Sequence, residues 1–353
     1  MKRIGNSIGT FVGLDRKRAL PVAIALALLP VVAVPVCAQT CTTQAALQPS
    51  LRDTLAGAAQ TLGSAVKAGD TASLKAATIA EVANNFAPTE YLVRTTSAKL
   101  IGDTLSVTQI YALDATARKA GDASEADFSC PLKGTTSETD FSIAALPPGR
   151  YAFAMVEAAG GERPWLLSFL LQDAGGWKMA GFYPHPRSAA GHDGLWYWAA
   201  ARDHVKTKQP WLAWLYFSQA DELLRPASFV TSTQLDRLRS EQRTAAPSEF
   251  AEFADGPSSR TPLVVKTADG AELRFTSIGS ESATDDKSLH LVLHYAVDAN
   301  ANAEALRLRS EAAVKGLIDA HPELRRGYSA VLVFGDIPQQ YPSVLSLDMD
   351  KIP

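Results

Sequence analysis

Apolar positions along this chain change their period several times, and each change marks a new kind of element. Residues 19–36 carry no charge and follow a basic stretch with Lys2, Arg3, Arg16, Lys17 and Arg18. Over residues 44–68, Leu47, Leu51, Leu55, Leu62 and Val66 recur at helical spacing and predict an amphipathic helix. Gly69-Asp70 ends that helix and caps a second one, whose face holds Leu74, Ala77, Val82 and Phe86 and which Pro88 stops. Past Ala98 the period drops to two: Leu105, Val107, Gln109 and Tyr111 alternate with Ser106, Thr108 and Ile110. Further strands are predicted at 140–144, 151–158, 165–172 and 177–183, with turns at Pro147-Pro148-Gly149, Gly160-Gly161 and Gly175-Gly176.

From residue 191 the helical period returns. Gly191-His192-Asp193-Gly194 opens a helix with its body at 195–206, and Gln209-Pro210 starts a partner that ends near Arg225-Pro226. A third helical stretch covers 232–243. Ala201, Ala213, Phe217 and Ala220 are spaced much as in a tetratricopeptide hairpin, but a single copy makes no array. Residues 245–262, rich in Ala, Pro, Ser and Gly, read as a linker. Beyond it, 263–266 and 272–278 flank the turn signal Asp269-Gly270, and Leu289, Leu291, Leu293, Tyr295 and Val297 form one strand face. A helix at 304–320, with Leu306, Ala313 and Leu317 inward, and strands at 328–334 and 344–347 complete a small C-terminal α+β unit.

Helices followed by antiparallel strands make the first half α+β as well. The Gly69-Asp70…Leu74 junction and the closing hairpin from Leu170 through Gly175-Gly176-Trp177 to Met179 resemble the NTF2-like (SnoaL-like) superfamily. That resemblance spans about residues 45–184 and implies a cone in which a curved sheet wraps N-terminal helices. It also implies an exported bacterial protein with such a domain at its N-terminus. The fold hosts enzymes and binding modules alike, so it leaves activity open. The expected organisation is a signal peptide at 1–38, an NTF2-like domain at 39–190, a helical hairpin extension at 191–244, the linker at 245–262 and a C-terminal α+β domain at 263–353.

The charge-free run is where composition changes the picture. Val36-Cys37-Ala38 places small residues for cleavage after Ala38, and Pro21, Pro30 and Pro35 break a helix that would otherwise span a membrane. The expectation is export, periplasmic or secreted, with no stable membrane span in the mature chain. Tethering by an uncleaved N-terminal segment is the alternative, and Val36 is too bulky for lipid processing at Cys37. Of the 353 residues 46% are hydrophobic and 20% charged, enough for a sizeable core. Loss of the leader, with five basic residues and one acid, takes the net charge from −3 to about −7. That balance offers no footprint for nucleic acid. Cys41 and Cys130 then remain, an even pair that an oxidising compartment joins as a disulfide, two free thiols being the alternative.

Four of the six tryptophans, Trp196, Trp198, Trp211 and Trp214, fall in the hairpin at 191–225. Such side chains either stack on a sugar or aromatic ligand or glue the hairpin to the preceding sheet; helical spacing favours the second. His185 and His192 lie in a loop with Asp193, where imidazoles suit metal or proton chemistry, though Asp193 reads better as a helix N-cap. His290 and His294 share a strand face but stand about 13 Å apart, too far to share one ion. Candidate ligand contacts are therefore Tyr151, His185, His192 and Trp196, with no metal and no cofactor expected. Glu157 follows Tyr151, Phe153 and Met155 on one strand face and is the one candidate base, since an apolar cavity would raise its pKa. No nucleophile elbow, phosphate loop or dinucleotide fingerprint is present. The leading expectation is an exported non-catalytic binding protein for a small molecule or a protein partner. The alternative is a small-molecule lyase or isomerase with Glu157 as general base.

Overall fold

Pro49 opens the first long helix of the computed structural model, which describes residues 39–250, 256–267, 270, 272–297, 302–337 and 341–353. The leader and its cleavage site lie outside the described residues, as does Asp269 of the expected turn. Strand β1 (Thr40–Thr43) precedes helix α1 (Pro49–Ala68), so the predicted helix loses its first turn to the point where a proline suits entry. Gly69 ends α1 at φ +66°, and the Asp70 carboxylate accepts the Ser73 N–H at 3.0 Å to cap α2 (Thr71–Ala76). The single second helix expected from the sequence is instead three: α2, α3 (Ala80–Ala83) and α4 (Ala87–Ser97). Pro88 does not stop a helix but sits in the first turn of α4, where its missing N–H costs nothing.

Strands β2 (Thr104–Asp114), β3 (Glu125–Pro131), β4 (Glu138–Ala144), β5 (Arg150–Ala159), β6 (Trp165–Asp173) and β7 (Trp177–Pro186) follow. The main sheet runs β1-β2-β5-β6-β7, antiparallel throughout. Its inner face is made of small residues, Ala152, Ala154, Val156 and Ala158, with Leu167, Phe169 and Leu171 beside them. It packs on Leu55, Ala59, Leu62 and Val66 of α1. The outer face carries Tyr111, Leu113, Tyr151, Phe153 and Leu170 against Phe128, Cys130, Phe141 and Ile143 of β3 and β4. Phe141 meets Tyr111 and Phe153 edge-to-face with centroids 5.2 and 5.4 Å apart. Cys41 of β1 is joined to Cys130 of β3, their Cα atoms 5.2 Å apart, which ties the two sheets together.

A two-stranded ribbon of β8 (Ser188–Ala189) and β9 (His192–Asp193) leads into α5 (Gly194–Lys206), α6 (Pro210–Leu224), β10 (Val230–Ser232) and α7 (Thr233–Thr244). Strand β10 adds to β4, giving the small sheet β10-β4-β3. Gly194 lets α5 approach α6: a Cβ there would lie 2.5 Å from Leu224 Cγ. Residues 211–217 of α6 are buried without interruption, so the helix is enclosed on every side rather than on one stripe.

The final sheet has the order β11-β12-β13-β14-β15, built from β11 (Leu263–Lys266), β12 (Glu272–Ser282), β13 (Leu289–Ala296), β14 (Ala330–Asp336) and β15 (Ser343–Asp348). Only the β13–β14 pair is parallel, and α8 (Ala303–Ala320) and α9 (Leu324–Gly327) make that crossover. Both halves are thus α+β. Trp211, Trp214 and Phe217 of α6 share one core with Phe275, Leu291, Leu293, Val314 and Leu317. This corrects the expectation that the hairpin is glued mainly to the preceding sheet. Phe250, inside the stretch 245–262 expected as a linker, is fully buried, its ring 4.9 Å from those of Trp211 and Trp214. The Ala-Pro composition around Phe250 hides this packing, in which Ala245 and Ala246 join the same core.

Candidate functional site

An apolar chamber of about 300 Å³ opens between the outer face of the main sheet and the helical extension. Its floor is Tyr111, Phe153 and Met155, alternate positions of β2 and β5 that the strand period sends outward. Thr139 of β4 and Val230 to Ser232 of β10 form one wall, and Trp198 of α5 with Leu235 of α7 form the other. Leu195 and Gln234, both exposed, stand at the mouth. The Ser232 hydroxyl caps α7 through the Leu235 N–H at 3.3 Å, which fixes that helix over the chamber.

Trp198 is 8% exposed and held by two contacts. Its indole N–H donates to Glu241 Oε2 at 2.9 Å, and the Arg202 guanidinium lies 4.6 Å above its ring. Arg202 also donates to both oxygens of Glu241, at 2.6 and 2.8 Å. Those Arg202 bonds, helped by the Trp198 N–H, hold the Glu241 carboxyl down at about 2 despite its partial burial. At the other side of the chamber the Tyr111 and Thr139 hydroxyls lie 3.1 Å apart.

The sequence candidates scatter around this chamber. Glu157 is half-buried on the outer face, one pleat beyond Met155, and is not among the chamber's lining residues. The helix-covered face is filled by Ala152, Ala154, Val156 and Phe169. Tyr151 is 2% exposed and donates its hydroxyl to the Pro147 carbonyl at 3.0 Å, a structural role, with burial raising its pKa. His192 and Trp196 do come together, stacked at 3.6 Å and 7°, but outside the chamber, with Trp196 41% exposed. Asp193 accepts the Trp196 N–H at 2.8 Å, the N-cap expected of it. Of the four tryptophans, Trp198, Trp211 and Trp214 are buried.

His185 lines a shallow hollow with Glu222 and Arg225, and its Nε2 is buried without a partner among the described residues. Burial, then Arg187 and Arg225, push its pKa down to about 4, so the folded protein holds it neutral. Above pH 6.5 neither state binds the proton; between about 6.5 and 4 only the unfolded chain does. Stability should therefore fall as pH drops through that window, by about 3 kcal/mol for this group. Denaturant unfolding at pH 7 and pH 4 checks it. His185→Gln should lose about that much less than the wild type over the same interval, and an equal loss would contradict the assignment.

Among the described residues no group of three or more His, Cys, Asp or Glu side chains is placed to hold a metal ion. His290 and His294 are half-buried on one face of β13, and His294 Nδ1 lies 3.1 Å from Asp336 while its ring stacks on Phe334. No helix among the described residues is long and apolar enough to cross a membrane. A larger hollow of about 750 Å³ lies along β3, β4 and β10; Ser142 Oγ sits 2.7 Å from both Glu125 and Asp127 there, and Asp140, whose pKa burial raises, also lines it. The chain matches no protein-family model, no curated protein and no solved structure.

Proposed function

We propose that this chain is an exported, non-catalytic binding protein whose NTF2-like first half, closed by the helical extension, holds a small apolar ligand. The chamber between Phe153 and Trp198 carries the reading: a concave, mostly apolar space with a few converging hydroxyls is the ordinary form of a small-molecule site. Its volume lies at the small end for such sites. Placement of Glu157 also favours binding over catalysis. A lyase or isomerase of this layout needs its base inside the helix-covered cavity, and that space holds alanine and phenylalanine side chains. Export rests on the basic leader, the charge-free run and the Cys41–Cys130 pair.

Filling the chamber tests the reading. Met155 is half-buried at its floor, so Met155→Trp occupies the space with little change elsewhere. Small apolar molecules should raise the melting temperature of the wild type by several degrees at concentrations far above Kd, and that of the variant hardly at all. Equal shifts in both proteins would place binding elsewhere.

A further inference from the structure

We propose that the chamber selects an uncharged, flat ligand of about two fused rings that bears one hydroxyl or carbonyl group; this rests on the chamber being the binding site. Among the described residues no carboxylate, ammonium or guanidinium lines it. The charged groups around it are already engaged. Glu241 is held by Arg202 and by Arg237 at 3.2 Å; Asp236 accepts the Thr231 hydroxyl at 2.8 Å; Arg239 donates to Asp221 at 2.9 Å. An ionised ligand would give up its hydration and meet no free counter-charge, a penalty that a neutral one avoids.

Flatness follows from the lining, since Tyr111 and Phe153 of the floor and Trp198 of one wall are all aromatic. The polar anchor is the Tyr111–Thr139 pair. Two hydroxyls that share one hydrogen bond use one of their two O–H groups, so a second O–H and several lone pairs stay available. A ligand hydroxyl or carbonyl placed there completes the set, whereas a plain hydrocarbon leaves it unmet.

Titration calorimetry on the full exported chain at pH 7 separates these points with four probes of one shape: 1-naphthol, naphthalene, 1-naphthoate and 1-naphthylmethylamine. 1-Naphthol should bind at least tenfold more tightly than the anion or the cation, and more tightly than naphthalene. Tyr111→Phe combined with Thr139→Val, which removes both hydroxyls of the pair, should remove the preference over naphthalene. Binding of the anion or the cation as tight as that of 1-naphthol, abolished by Met155→Trp, would overturn the inference and leave the chamber reading intact. A naphthol preference that survives the combined Tyr111→Phe and Thr139→Val replacement would overturn the anchor. Absence of binding by all four probes would overturn the chamber reading and this inference with it.

Discussion

Replacing Trp211 by alanine is expected to cost about 3 to 5 kcal/mol, a large share of what holds a domain together. Trp211 is 2% exposed in the middle of α6, with Phe250 4.9 Å away on one side and His321 4.2 Å away on another. Its removal leaves a void where the helical extension meets the C-terminal sheet, and the seven consecutive buried residues of α6 leave that helix little freedom to collapse into it. Trp196→Ala is the matched control, because Trp196 is 41% exposed and should change stability by less than about 1 kcal/mol. Urea unfolding of the two variants decides the point. A loss below about 1 kcal/mol for Trp211→Ala would contradict the shared core between α6 and the final sheet.

Loss of the Cys41–Cys130 link is the second large effect. The bridge closes a loop with a sequence separation of 89 and joins the edge strand β1 to β3, across the core that holds Phe128 and Phe141. Chain entropy for a loop of that size gives about 4 to 5 kcal/mol as an upper value, and native bridges of this kind are commonly worth about 2 to 5 kcal/mol. The pair Cys41→Ala with Cys130→Ala should lose stability in that range, and reduction of the wild type should match it. Free thiols at both positions in exported protein, or a wild type indifferent to reductant, would contradict the link.

How far the sequence carried this picture depends on the range of the interactions involved. Local signals at helix ends were faithful: Gly69 at the left-handed end of α1 and Asp70 and Asp193 as N-caps appear as read. The alternation of Leu105, Val107, Gln109 and Tyr111 does not, because a bulge between Val107 and Gln109 leaves Leu105 and Val107 with Ile110 on the helix-covered face and sends Tyr111 to the other. Strand β3 went unseen because its short apolar set, Ala126, Phe128 and Cys130, sits among acids and serine. Pro88 was misread because a proline ends one helix and begins another equally well. The partner of the hairpin was not legible at all. Helix α6 is apolar around its whole circumference, so no stripe points to the sheet it covers.

The chamber shows the same limit. Phe153 and Met155 of its floor are written in the strand period of β5, but Tyr111 reaches it through the bulge in β2, and its walls come from Thr139, Trp198 and Leu235, residues that only the fold brings together. Glu157 was singled out by sharing a strand face with aromatic residues, and that much of the reading stands. Which side of the sheet the helices cover was not in the period; they lie on the face of Ala152, Ala154 and Val156, and Glu157 is on the other.

The central claim, that the space between the main sheet and the helical extension is the ligand site, is tested most directly by a crystal structure of the protein with 1-naphthol. The account predicts the ring system between Phe153, Met155 and Trp198, with its hydroxyl at the Tyr111–Thr139 pair. Density for the probe on the helix-covered face, or stacked on Trp196 and His192 with the chamber left vacant, would contradict it.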